Sequence, residues 1–361
     1  MNSHIEPAIE QMDYWLLFAV SFLVSFLSAP FLRRLAFKLD VLDYPARRKV
    51  HKKATPLLGG AAICIGLFAA TALNWRLFSP LLPIFFGATA VFIIGLIDDI
   101  RGLSARSRLI AEAFIVLILV KFGVCVSFLP PGFWGDLGEI AITLLWIVGV
   151  TNACNYLDGL DGLAAGSAII NLFSFAVILQ GTNQSAVVVF SVMLICACLG
   201  FLPHNFRSAK MFLGDAGSTF LGFIIACIAI VGNWAQDNTA KLVIPVLILG
   251  VPIFDMIFTT VVRIKEGKVK NIPQWLHYGG RDHFHHYLVD LGFSPRAAVV
   301  FIYLFTLSLG ISAIMLSNDR ATEAFLAMLQ AALIFVVIGT LIVVGKRRRS
   351  GWGAGGKLED A

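Results

Sequence analysis

The sequence places acidic residues at spacings that suit metal and phosphate chemistry. In LIDDIRGLSARSR, Asp98 and Asp99 are adjacent. Neighbouring carboxylates repel each other unless a cation or a donor answers them. A divalent metal, a phosphate-bound Mg²⁺, or Arg106 and Arg108 would serve. In TNACNYLDGLDGLAAG, Asn152, Asn155, Asp158 and Asp161 recur every three residues. That spacing gathers them on one broad face of a helical turn. Gly159 and Gly162 allow a ligand close to the backbone. The segment holds no basic residue, so its carboxylates ask for a metal or for ligand donors rather than a salt-bridge lattice.

Two further segments share this character. In HNFRSAKMFLGDAGSTFLGF, Phe212 and Asp215 precede Gly217-Ser218-Thr219, which opens an apolar run. A helix N-terminus of that kind offers backbone N–H groups to phosphate. Asp215 is placed to hold Mg²⁺ against such a phosphate, and Arg207 and Lys210 add positive charge. In GGRDHFHHYLVDLGFS, Arg281, Asp282, His283, His285 and His286 crowd together. They suggest a sugar or phosphate clamp, or a metal site. Zinc competes, but no cysteine is near and Asp-x-x-His-His is not a zinc spacing. The basic run ending at Lys52 and Lys53 suits membrane topology and anionic lipid, with either lysine in reach of a lipid phosphate. Asp255 lies two turns from Arg263 inside an apolar run, where a carboxylate is expensive; a structural pair and a role at the site both fit.

The elements that must position these residues are membrane spans. The chain of 361 residues is 58% hydrophobic and 14% charged, against about 45–50% and about 25% for soluble domains. This excludes a soluble enzyme, a disordered chain and a DNA-binding domain. The net charge of +6 therefore reads as topology and implies no nucleic-acid partner. Six cysteines lie mostly in apolar runs without a zinc spacing, as buried thiols do.

A span needs about 20 apolar residues. The sequence predicts eleven: Tyr14–Leu32, Leu57–Leu73, Pro80–Ile97, Leu109–Leu129, Ile140–Asn155, Leu163–Leu179, Ala186–Leu202, Thr219–Trp234, Leu242–Val262, Ala297–Leu316 and Ala324–Val344. The fourth carries Glu112 and Lys121, and the fifth is short. Of 28 Lys and Arg residues, all but Arg76, Lys121, Lys241 and Arg320 fall on one side. By the positive-inside rule the N-terminus is outside and the C-terminus cytoplasmic. Glu6, Glu10 and Asp13 before the first span argue against a signal peptide. The expectation is an all-α, polytopic, single membrane domain over 1–361, with a basic, disordered tail over 345–361. The acids Asp98, Asp99, Asp158, Asp161, Asp215 and Asp282 share the cytoplasmic side. A secondary transporter would place them near the midplane, within inverted repeats; no repeat is visible.

The whole pattern resembles the polyprenyl-phosphate N-acetylhexosamine-1-phosphate transferase family. RKVHKKATPLLGG, DDIRGLSARSR, NxxNxLDGLDGLA, FLGDAGS, VPIFD and DHFHH occur in that order over nearly the whole chain. DHFHH with a following LGFS resembles the WecA/TagO branch; the MraY branch tends toward a run of His directly before Phe, and has ten spans. The resemblance implies transfer of N-acetylglucosamine 1-phosphate from its UDP donor to undecaprenyl phosphate in the bacterial inner membrane, releasing UMP. This would be the first membrane step of a cell-envelope polysaccharide, such as a lipopolysaccharide O-antigen or a cell-wall polymer. Another UDP-N-acetylhexosamine, or UDP-N-acetylmuramoyl-pentapeptide, is the alternative donor. A homodimer fits as readily as a monomer.

The resemblance further implies that Asp215 and Asn155 hold Mg²⁺, with Mn²⁺ as its substitute, and that Asp161 and Phe212 hold uracil. Asp98 becomes the favoured base or nucleophile, with Asp99 beside it and Asp158 in the same catalytic group. Arg281, His283, His285 and His286 would face the sugar or diphosphate, and Arg106, Arg108 and Lys53 the phosphates. A lipid phosphate with a second pKa of about 6 is mostly a dianion at pH 7 and hardly needs a base. Direct in-line attack on the sugar-proximal phosphorus is therefore favoured over a two-step route through phospho-Asp98.

Overall fold

The computed structural model describes residues 14–45, 53–206, 208–235, 237–271, 274–275, 278, 280, 282–317 and 321–355. Its helices are α1 (Tyr14–Leu39), α2 (Gly59–Leu73), α3 (Leu82–Arg101), α4 (Ala105–Lys121), α5 (Phe133–Tyr156), α6 (Leu163–Leu179), α7 (Ser185–Asn205), α8 (Gly214–Val231), α9 (Asn238–Ile248), α10 (Gly250–Lys265), α11 (Phe284–Asp290), α12 (Pro295–Leu316) and α13 (Ala321–Gly355). A two-residue antiparallel ladder, β1 (Leu42–Asp43) with β2 (Thr55–Pro56), pairs Leu42 with Pro56 and Asp43 with Thr55.

Every apolar run read from the sequence is wholly or largely helical, with different bounds in several cases. Seven helices among the described residues are long and apolar enough to cross a membrane, or eight if the bent pair α9–α10 counts as one. The chain is a multi-pass membrane protein. α2 and α6 are apolar but shorter; 15 residues of α2 reach about 22 Å at 1.5 Å each. α4 carries Arg106, Arg108, Glu112 and Lys121 within its 17 residues.

Four expectations change. The ninth run is not a continuous helix: it breaks at Leu249 with a bend of 76° between α9 and α10. Pro252 has no N–H to offer the Ile248 carbonyl, and its ring clashes there, so α9 stops at Ile248. α13 continues through 345–355, where the sequence suggested a disordered tail. The fifth span is longer than its apolar core, starting at Phe133, and α4 ends at Lys121 rather than near Leu129.

α8 is the hub. Its spanning window is 83% buried, and it packs against α2, α3, α5 and α6. Lipid is as apolar as a leucine side chain, so such helices associate through close backbone approach and interhelical hydrogen bonds. Both devices appear. A Cβ added at Gly60 on α2 would lie 2.2 Å from Gly217 Cα on α8. One added at Gly222 would lie 2.9 Å from the Thr151 carbonyl on α5. On α1, Ser21 and Ser25 hydroxyls each donate across 2.7 Å to the Met193 and Ala197 carbonyls of α7.

The start of α2 is knitted to the loop before α8. Gly59 N donates to the Phe212 carbonyl at 3.0 Å, and Gly60 N to that of Leu213 at 2.9 Å. Phe212 N donates to the Pro56 carbonyl at 2.8 Å. The short ladder thereby fixes the entrance to α8.

Because Gly60 and Gly217 meet backbone to backbone, Gly60→Val must separate α2 from α8. Overpacking of this kind costs about 1–3 kcal/mol. The purified variant should melt below the parent; an unchanged melting temperature would contradict the crossing.

Candidate active site

The adjacent carboxylates of α3 are answered by different means. Asp98 Oδ2 accepts from Arg108 Nη1 at 2.8 Å, and its Oδ1 from Leu103 N at 2.5 Å. Asp99 turns the other way. Its Oδ1 accepts from Asp215 N at 2.8 Å and its Oδ2 from Ala216 N at 3.0 Å. It therefore caps α8, where free N–H groups and the helix dipole favour negative charge. Gly214 opens α8 at a φ of 76°, and an added Cβ there would lie 2.7 Å from Asp99 Oδ2. Glycine is required at that junction.

The clamp sets Asp215 beside Asn155 and Arg108. Asn155 Nδ2 donates to Asp215 Oδ1 at 2.7 Å and to Ser218 Oγ at 2.8 Å. With its nitrogen so engaged, the Asn155 amide oxygen is left to accept elsewhere. Arg108 Nη1 lies 3.7 Å from Asp215 Oδ2. The Asp215 side chain keeps 40% of its exposure, against 9% for Asp98. Asp215 and the Asn155 oxygen are hard donors of the sort Mg²⁺ prefers. Among the described residues, no three His, Cys, Asp or Glu side chains form a metal cluster. A cation here would rely on ligands from a bound phosphate, as Mg²⁺ commonly does.

Behind this group lies a buried network that the motifs did not reveal. Glu112 is 1% exposed. Its Oε2 accepts from Asn152 Nδ2 at 2.5 Å, and Asn152 Oδ1 lies 3.5 Å from Arg108 Nη2. The available signal was a carboxylate one turn from Arg108 inside an apolar run, where charged residues are expensive. Arg108 thus stands among Asp98, Asp215 and Glu112 as the single described cation that pairs with the group. The cluster is short of positive charge.

The loop between α5 and α6 carries Asp158 and Asp161. Burial pushes the Asp158 carboxyl up to about 7, and the nearby charges of Asp215 and Asp161 add to the shift. Asp161 Oδ2 accepts from Ala209 N at 2.9 Å. Asn205, 2% exposed, accepts from Gly162 N at 2.9 Å and donates to the Met211 carbonyl at 3.0 Å. Tyr303 on α12 donates to the Gly162 carbonyl at 2.5 Å. The acidic loop and the segment bearing Phe212 are therefore one tied unit.

The histidine motif docks on the same loop. A Cβ added at Gly159 would meet His285 Nε2 at 2.1 Å, so the imidazole lies directly on that glycine. His285 and His286 rings are 4.1 Å apart, and His283 packs against Tyr156 at 4.9 Å with the rings tilted by 32°. Asp255 pairs with His283 at 3.0 Å, not with Arg263. Arg263 instead grips Asp282 through Nε at 2.9 Å and Nη2 at 2.7 Å.

The structure thus brings together Asp98, Asn155, Asp158, Asp161, Asp215, Arg108 and the three histidines at the end of the bundle where α3, α5 and α7 finish. Arg106 is exposed on the first turn of α4 and takes no part in these pairs. Lys53 is exposed, its carbonyl accepting from Thr55 Oγ1 at 3.1 Å. Arg281, Arg207 and Lys52 lie outside the described residues.

Removing the clamp tests its structural part. Asp99→Ala deprives two α8 N–H groups of their acceptor, and loss of a cap costs about 0.5–2 kcal/mol. The purified variant should melt earlier than the parent; a melting curve identical to it would place the clamp in doubt.

The glycosyl transferase family 4 model matches residues 81–233, from the turn before α3 to the end of α8. The chain is 36% identical to a probable undecaprenyl-phosphate N-acetylglucosaminyl 1-phosphate transferase of Bacillus subtilis, over 83% of this chain and 84% of that protein. It is 33% identical to decaprenyl-phosphate N-acetylglucosaminephosphotransferase of Mycobacterium tuberculosis, over 87% and 85%. Against undecaprenyl-phosphate alpha-N-acetylglucosaminyl 1-phosphate transferase of Escherichia coli K12 the identity is 27%, over 89% of each. With the acidic loop, the capped α8 and the docked histidines in place, the chain belongs to the polyprenyl-phosphate N-acetylhexosamine-1-phosphate transferase family.

Proposed function

We propose that this protein transfers N-acetylglucosamine 1-phosphate from UDP-N-acetylglucosamine to undecaprenyl phosphate, giving the lipid-diphosphate sugar and UMP. The observation that carries the reading is the convergence of Asp98, Arg108, Asn155 and Asp215 at one end of a membrane bundle. Relatives named for this reaction on undecaprenyl or decaprenyl phosphate, matched over most of the chain, support it.

Asp215 and Asn155 are the residues that would hold Mg²⁺. The ion would neutralise charge on the diphosphate, which is the chief demand of phosphoryl transfer. Arg108 stands beside both Asp98 and Asp215 and adds a fixed positive charge. Asp98 is poorly placed as a nucleophile. One oxygen faces Arg108, the other accepts a backbone N–H, and little of the side chain is open. It suits a group that orients Arg108 better than one that attacks phosphorus. This supports direct attack by the lipid phosphate. Asp161 and Phe212, on the tied unit, suit the uracil; His283, His285 and His286 suit the sugar or diphosphate.

The bundle is read as eleven crossings, with α9–α10 as the broken ninth. The chain resides in the bacterial inner membrane with the site facing the cytoplasm, as the distribution of Lys and Arg indicates.

Purified protein incubated with undecaprenyl phosphate, Mg²⁺ and a panel of UDP-sugars should release UMP with UDP-N-acetylglucosamine. Turnover confined to UDP-N-acetylmuramoyl-pentapeptide, or none at all, would overturn the reading. Asp215→Ala should lower turnover by roughly 10²–10³-fold, the worth of one electrostatic group, while its membrane level holds.

Without lipid, a one-step enzyme releases no UMP. A burst of one equivalent per site, together with an inactive Asp98→Asn enzyme, would establish the two-step route instead.

Single cysteines in a variant lacking the native six test orientation. At Ser104 the thiol should resist an impermeant reagent added to intact cells, and at Asn183 it should label. The reverse pattern would invert the topology.

A further inference from the structure

We propose that Asp255 is a positioning residue that fixes His283 as the tautomer protonated on Nδ1, leaving a lone pair on Nε2 beside Arg263. The proposal rests on the transferase reading above for its catalytic consequence, though not for its geometry.

α10 carries Asp255, Thr259 and Arg263 at intervals of four, on one face. All three are buried, Asp255 completely. Their partners come from the segment that leads into α11. Asp255 Oδ1 accepts from Phe284 N at 2.6 Å, and Oδ2 faces His283 Nδ1 at 3.0 Å. Thr259 Oγ1 lies 3.2 Å from Asp255 Oδ1 and 3.0 Å from the Asp282 carbonyl. Arg263 holds Asp282 with two nitrogens and sets Nη2 at 3.4 Å from His283 Nε2. Asp255, His283, Arg263 and Asp282 thus form a line beside α10, two basic groups held between two carboxylates.

The two ends of the imidazole are told apart by their neighbours. An ionised carboxylate only accepts, so the nitrogen facing Asp255 carries hydrogen. A guanidinium only donates, so the nitrogen facing Arg263 presents its lone pair. Both constraints select the same neutral tautomer. Tyr156, directly after Asn155, covers one ring face at 4.9 Å, and His285 runs nearly parallel at 6.1 Å. The ring is therefore fixed in position as well as in protonation. The Arg263 contact is long at 3.4 Å, so a hydroxyl of the sugar, or a proton in transit, that displaced it would meet an acceptor at Nε2.

Asp255→Asn is the informative variant. Its amide oxygen can still take the Phe284 N–H, but its NH₂ then faces His283 Nδ1. That favours the other tautomer and turns an N–H toward Arg263. In Ser-His-Asp sites the same exchange leaves geometry intact and lowers turnover about 10⁴-fold, so a fall of roughly 10²–10⁴ in kcat/KM is expected here. Adding Asp255→Asn to His283→Asn should lower activity no further, because Asp255 acts through that ring. The direct readout is ¹⁵N NMR of histidine-labelled protein in lipid, assigned with the His283→Asn variant. His283 should show a protonated Nδ1 in the parent. A parent protonated at Nε2, an Asp255→Asn enzyme with unchanged kcat/KM, or independent effects in the double variant would each overturn the proposal. A parent that releases no UMP would instead remove the transferase reading, while the NMR measurement would still decide the tautomer.

Discussion

The Asp99 carboxylate spans the first free N–H groups of α8, and the site depends on where that contact places its neighbours. It joins the last turn of α3 to the first turn of the most enclosed helix. Asp98, next in the chain, must then point the other way, toward Arg108. Asp215, whose own N–H is held, presents its carboxylate to Asn155. A single side chain so sets three groups, using the charge that its neighbour would otherwise repel. The glycine contacts at Gly60 and Gly214 let the backbones close around it.

The arrangement leaves an electrostatic debt. Asp98, Asp215, Asp158, Asp161 and the buried Glu112 share a small region in which Arg108 is the nearest paired guanidinium. In a medium of low dielectric such an excess is strongly felt. The Asp158 carboxyl is raised mainly by burial, and the charges of Asp215 and Asp161 add to the shift. A divalent cation arriving with an anionic donor would relieve it. The anion alone would be repelled by the same acids that suit its cation, so charge neutralisation and substrate recognition would be one event.

Much of this was legible beforehand. Apolar runs set the helices because backbone polar groups in lipid must pair within their own segment. Acids spaced by three set the face of the loop between α5 and α6, and Asp98, Asp215 and His283 stood out by type. What escaped were relations across long separations. Nothing near Asp99 says that its acceptors serve residues 116 and 117 positions away. Glu112 read as a flaw in a span, because its partner Asn152 lies in another helix. The α9–α10 break was present in Pro252, but an apolar run with a proline still scores as a span. Asp255 was visibly anomalous, yet only the folded loop shows that its partner is His283 and that Asp282 satisfies Arg263.

That last pairing bears on how the chain is made. α10 is synthesised with an acid inside its apolar stretch and a guanidinium in its last turn; a carboxylate near a bilayer centre is disfavoured by about 2.5–3.5 kcal/mol. The residues that answer them, Asp282 and His283, emerge from the ribosome only later. The contact that satisfies α10 is the one that docks the histidine segment, so the standing of that helix in lipid and the shape of the candidate site rest on the same residues.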